Sequence, residues 1–66
     1  MRLKDLIGII YPESLVETTT ETDMWDGKLP TPQGTWEEYT KRLSEEEWEK
    51  KVRLLPQYGI RIVFQS

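Results

Sequence analysis

At 66 residues, with 12 acidic and 9 basic side chains and a net charge of −3, the chain is sized for one small domain. Its charge disfavours nonspecific binding to nucleic acid or to anionic membranes. It has no Cys and no His, which excludes disulfides and the usual zinc, copper and iron–sulfur ligand sets and leaves carboxylates as the candidates for hard cations. No apolar run approaches a membrane span, and Asp5 interrupts what would have to be a signal-peptide core, so a cytoplasmic protein without a targeting segment is expected.

Leu3, Leu6, Ile7 and Ile10 recur at helical spacing and predict a short amphipathic helix over the first ten residues, with Pro12 beyond it. Residues 14–22 carry a high density of β-branched side chains and read as a strand with a weakly apolar face. The stretch WDGKLPTPQG holds two Gly and two Pro, which predicts a turn at Asp26-Gly27 followed by a loop. Thr35 and Glu38 form a capping-box pattern ahead of a helix with Trp36, Tyr39 and Leu43 on one face. Ser44 and Glu47 repeat that pattern. The segments WEKKVRLL and GIRIVF alternate in polarity and flank PQYG, which predicts an antiparallel hairpin; the rival reading makes residues 44–54 a helix. The expected architecture is a single α+β domain over residues 1–66, two helices on one face of a three- or four-stranded antiparallel sheet. Its core is expected to hold Leu3, Leu6, Ile7, Ile10, Val16, Trp36, Tyr39, Leu43, Val52, Leu54, Ile60, Ile62 and Phe64.

Tryptophan is seldom left on a surface without purpose and is enriched where proteins bind one another. Trp36 and Trp48 fit core faces, whereas Trp25, between Met24 and Asp26, fits none, so Met24, Trp25 and Asp26 read as a contact anchor or as a lid over a small core. Glu45, Glu46, Glu47 and Glu49 surround Trp48 and form an acidic surface able to meet a basic protein. Lys50, Lys51 and Arg53 follow at once, so the run also reads as an ordinary solvated face. Glu21, Asp23 and Asp26 could gather around a divalent cation, but the alternating ligands and terminal glutamate of an EF-hand loop are missing, and no metal or cofactor is assigned. Without Cys, His, a G-x-S-x-G elbow, an S-x-x-K pair or a glycine-rich phosphate loop, no catalytic residue is assigned and the chain is not expected to be an enzyme.

The opening MRLKDLIGII, the polar strand, the DGK turn, TWEEY and the closing GIRIVFQS resemble short phage and mobile-element proteins of Firmicutes. That resemblance implies a role in countering host defence, as anti-CRISPR proteins do, and a site of action in the bacterial cytoplasm. It supplies no functional residues. The leading expectation is a noncatalytic inhibitor that occludes a basic surface of a host protein such as a nuclease effector, without touching nucleic acid or membrane. Two other classes stay open: a homo-oligomeric sponge that holds a small ligand, such as a nucleotide signal, between subunits, and a metal-dependent nuclease using Glu21, Asp23 and Asp26.

Overall fold

The computed structural model describes residues 1–56 and 59–65. Four strands, β1 (Leu15–Thr20), β2 (Thr31–Thr35), β3 (Val52–Leu55) and β4 (Ile60–Phe64), make one sheet in the order β2-β1-β4-β3. Three short helices, α1 (Glu21–Trp25), α2 (Trp36–Thr40) and α3 (Glu45–Trp48), and a 3-10 helix over Leu3–Leu6 complete this small α+β domain.

The sheet is mixed rather than wholly antiparallel. β1 pairs antiparallel with β2, and β3 with β4, but the central pair β1 and β4 is parallel, with Val16 opposite Ile60 and Thr20 opposite Phe64. The cause is the link after β2. The helical segment 36–51 returns the chain along the length of the sheet before β3 begins, as a crossover connection must. The hairpin of β3 and β4 is as expected, with Val52 opposite Phe64 and Leu55 opposite Arg61; the proposed turn residues Gln57 and Tyr58 lie outside the described residues. Of the two readings of residues 44–54, each holds in part: a helix over Glu45–Trp48, then a strand from Val52.

The segment 31–35, expected as loop, is the edge strand β2. Pro32 has no N–H to donate and is tolerated because one side of an edge strand needs no partner. The register slips between Val16 and Glu17, which face Gly34 and Pro32 and leave Gln33 as the extra residue of a bulge. Gly34 sits there at φ +80°, a conformation other residues adopt at a cost, and an added Cβ would come 3.4 Å from a Glu38 carboxylate oxygen.

The Ser44–Glu47 capping box is formed, while of the expected Thr35–Glu38 box only the cap bond forms, the Glu38 carboxylate accepting from the Thr35 hydroxyl at 3.1 Å instead of from its backbone N–H. Thr35 Oγ1 accepts from the Glu38 N–H at 3.2 Å and Ser44 Oγ from the Glu47 N–H at 3.4 Å, which starts α2 and α3 where the sequence places them. Their aromatic residues pack together under the sheet, Trp36 against Tyr39 with ring centroids 6.0 Å apart and edge-on against Trp48 at 6.1 Å. Leu3, Leu6, Ile10, Val16, Val52 and Ile62 fill the remainder of the core, with Leu43, Leu54, Ile60 and Phe64 half-buried at its margin.

Two core expectations fail. Ile7 is 63% exposed, because the first helix is of the 3-10 kind and three residues per turn bring Leu3 and Leu6 to one side while turning Ile7 away. Val63, which the expected core omits, is fully buried on the other face of the sheet. Its neighbours there by register are Thr19 on β1 and Arg53 on β3. Arg53 Nε donates to Glu21 Oε1 and Arg61 Nε to Glu17 Oε1, each at 2.9 Å. These pairs draw two long aliphatic stems across the sheet, which shields Val63 without a second layer of helices.

Candidate functional site

One end of the sheet gathers every residue singled out for binding. β1 and β4 end there, and β2 and β3 begin there. α1 springs directly from β1, and α3 lies three residues before β3.

α1 is a five-residue helix with no buried residue. A helix this short is unstable alone, and its ends show what holds it. Thr20 Oγ1 accepts from the Asp23 N–H at 3.1 Å, which caps the N-terminus. At the other end the Gly27 N–H donates to Met24 O at 3.2 Å and the Lys28 N–H to Asp23 O at 3.0 Å, with Gly27 at φ +75°. That is the Schellman arrangement, which stops a helix with a left-handed residue. An apolar contact commonly accompanies it; here an ion pair between Lys28 Nζ and Asp23 Oδ1 at 3.6 Å takes that place. The expected strand over residues 14–22 therefore ends at Thr20, and the expected Asp26-Gly27 turn is the C-terminal cap of a helix.

The cap leaves two large side chains in solvent. Trp25, the last helical residue, is 86% exposed and Leu29 is 90% exposed. Trp25 is therefore no lid over the core. Met24 is half-buried and Asp26 exposed. Leu29 is not marked out by the sequence pattern, where its only sign is an apolar residue between Lys28 and Pro30 that belongs to no periodic face.

The acidic residues divide. Glu49 is neutralised within the chain by Lys4 Nζ at 3.0 Å and Arg2 Nη1 at 3.6 Å, and Glu47 Oε1 accepts from the Ser44 hydroxyl at 3.2 Å. Glu45 and Glu46, both exposed, have neither an ion pair nor a side-chain hydrogen bond among the described residues. The carboxylates considered for a cation also separate. Glu21 is bound to Arg53 and Asp23 to Lys28, and no group of three potential ligands converges among the described residues.

Beside the tip, on the helix-covered face, a groove of about 340 Å³ opens between the ends of β1 and β4 and the helices α2 and α3. Thr18, Gln33, Tyr39, Arg42, Glu47 and Lys50 supply its polar lining. Thr18 Oγ1 accepts from Gln33 Nε2 at 2.9 Å, while Arg42 Nη2 donates to Gln33 O at 2.7 Å and to its Oε1 at 3.1 Å. Burial, aided by the Glu47 charge and opposed by Arg42, pushes the Tyr39 phenol up to about 12. A second depression, about 350 Å³, lies near Leu15, Pro32, Gly34 and Ile60; the one charge on it, Glu17, is held by Arg61.

No protein-family model, curated protein or solved structure matches the chain.

Proposed function

We propose that this protein is a noncatalytic binding protein that docks on another protein through Trp25 and Leu29. The observation that carries the reading is α1 itself, a helix that has no fully buried residue, is capped at both ends, and holds a tryptophan in solvent. A chain this small has little core to spare, yet Trp25 and Leu29 both leave large apolar side chains in water. Trp also contributes disproportionately to protein interfaces, since it covers a large area with few rotatable bonds. Glu45, Glu46 and Asp26 at the same end of the sheet favour a basic partner surface and would speed encounter with it more than they would strengthen the final complex. The resemblance of the chain's two ends to short phage and mobile-element proteins points to a host defence protein, such as a nuclease effector, as that partner, inhibited by occlusion.

The test is affinity capture from bacterial lysate with the wild-type chain, the Trp25→Ala/Leu29→Ala variant and the Glu45→Lys/Glu46→Lys variant, read by mass spectrometry and followed by binding measurements on the enriched protein. The first variant is expected to lose at least about 2 kcal/mol of binding, roughly 30-fold, while its circular dichroism stays unchanged. The second should slow association mainly at low salt. Equal capture by the wild type and the Trp25→Ala/Leu29→Ala variant would reject the docking tip.

A further inference from the structure

We propose that the groove at the carboxyl ends of β1 and β4 is a binding site for a small organic anion, with its phosphate or carboxylate group between Arg42 and Lys50. The argument starts from charge. Of the nine basic residues, six, namely Arg2, Lys4, Lys28, Lys41, Arg53 and Arg61, sit in ion pairs with carboxylates. Among the described residues that leaves Arg42, Lys50 and Lys51, and two of these three line the groove. In a chain of net charge −3, two cations without an ion pair among the described residues, against the one carboxylate of Glu47, give this concavity a net positive lining.

The cations are also oriented. Arg42 uses Nη2 on the Gln33 carbonyl and side-chain oxygens, which fixes the guanidinium plane and leaves its Nε and Nη1 donors for a ligand. Lys50 Nζ stands 5.8 Å from the centre of the Phe64 ring, an aromatic contact that positions the ammonium without neutralising it. Leu43 and Phe64 add an apolar wall, and the Tyr39 phenol makes no hydrogen bond among the described residues. Glu47, the remaining charge on the lining, has Oε1 turned toward Ser44; it repels a bare anion and accepts from a ligand that also carries an N–H or O–H. The volume lies near the lower limit for small-molecule sites. The site thus suits a compact anion with a flat or apolar body and a hydrogen-bond donor, about the size of a mononucleotide. Unlike a sponge formed between subunits, it needs a single chain. It is also independent of the docking tip, since none of its residues belongs to the α1 cap beyond Thr20.

Amide chemical shifts of the full chain, followed during titration with adenosine monophosphate, inorganic phosphate and benzoate, test the proposal. The expected result is saturable shifts centred on Thr18, Thr20, Gln33 and Lys50 with at least one organic probe, weakened at least about tenfold in Arg42→Gln and in Lys50→Gln. Lys51→Gln should bind as the wild type does. Adenosine monophosphate stronger than benzoate assigns the site to organic phosphates, and the reverse to carboxylates. No saturation by any probe, saturation by inorganic phosphate alone, or equal weakening in Lys51→Gln overturns the proposal. Lys50 has no ion pair among the described residues, so its variant is expected to keep the wild-type melting temperature and separates lost binding from lost folding. The Trp25→Ala/Leu29→Ala variant should bind these probes unchanged, so failure of the docking tip and failure of the groove are distinguishable.

Discussion

Arg61 and Glu17 stand directly opposite one another on the parallel strands at the centre of the sheet, with Arg61 Nε 2.9 Å from Glu17 Oε1. Both side chains are about two-thirds shielded from solvent, so the pair is screened less than a surface ion pair. It fixes the register of two strands that no short turn connects. A double-mutant cycle with Glu17→Gln and Arg61→Gln, followed by urea unfolding, should give a coupling energy of about 0.5–1 kcal/mol, toward the upper end for partly exposed pairs. Additive losses would show that the pair does not hold the register.

Gly27 is the residue that allows α1 to stop. A Cβ there meets nothing within 4 Å, so Gly27→Ala carries only the backbone cost of φ +75°, about 1 kcal/mol. Because α1 buries no residue, fraying of this helix should precede global unfolding. Hydrogen exchange is expected to accelerate at the Gly27 and Lys28 amides while the Ile62 amide keeps wild-type protection.

Leu6 and Ile7 adjoin in sequence and should respond oppositely to truncation. Leu6→Ala removes a fully buried side chain at a cost of about 2–5 kcal/mol. That is comparable to the roughly 3–5 kcal/mol a core of this size supplies, so the variant should be largely unfolded by circular dichroism. Ile7→Ala, at an exposed position, should change stability by less than about 0.5 kcal/mol.

Alkali should unfold the protein through Tyr39. Its phenol is held at about 12 in the fold against 10.0 for an ordinary tyrosine. Below about pH 10 both states keep the proton and stability is unaffected. Between the two values the unfolded chain releases a proton that the folded chain retains, so stability falls by at most about 1.4 kcal/mol per pH unit. Tyr39→Phe should remove this part of the alkaline slope in urea unfolding measured across that window.

These expectations rest on features of unequal visibility in the sequence. The Thr35 cap, the Ser44 capping box and the β3–β4 hairpin depend on residues close in sequence, and they are where the pattern puts them. α1 was also legible: Thr20 with Asp23 at its third helical position and Gly27 just past its end is a start-and-stop signature, masked by the β-branched run that precedes it. β2 was not legible, because Pro32 and Gly34, with Pro30 just before them, argue against a strand unless it is known to lie at an edge beside a bulge. The parallel central pair was beyond local reasoning altogether, since it depends on the direction in which segment 36–51 carries the chain. At the binding end, Trp25 stood out by residue type, whereas Arg42 and Lys50 share a groove through tertiary placement alone.

The central strand pair has a kinetic corollary. Glu17 and Arg61 are separated by 44 positions, so the middle of the sheet closes late, after a loop spanning most of the chain has lost its freedom. Until then β1 has only the bulged, proline-containing β2 beside it, and an isolated two-strand unit is marginal in water. The fold should therefore form slowly for its length. Cleavage anywhere between β3 and β4 should release two unfolded pieces and no stable subdomain, which makes intact-chain survival under limited proteolysis a direct measure of sheet closure.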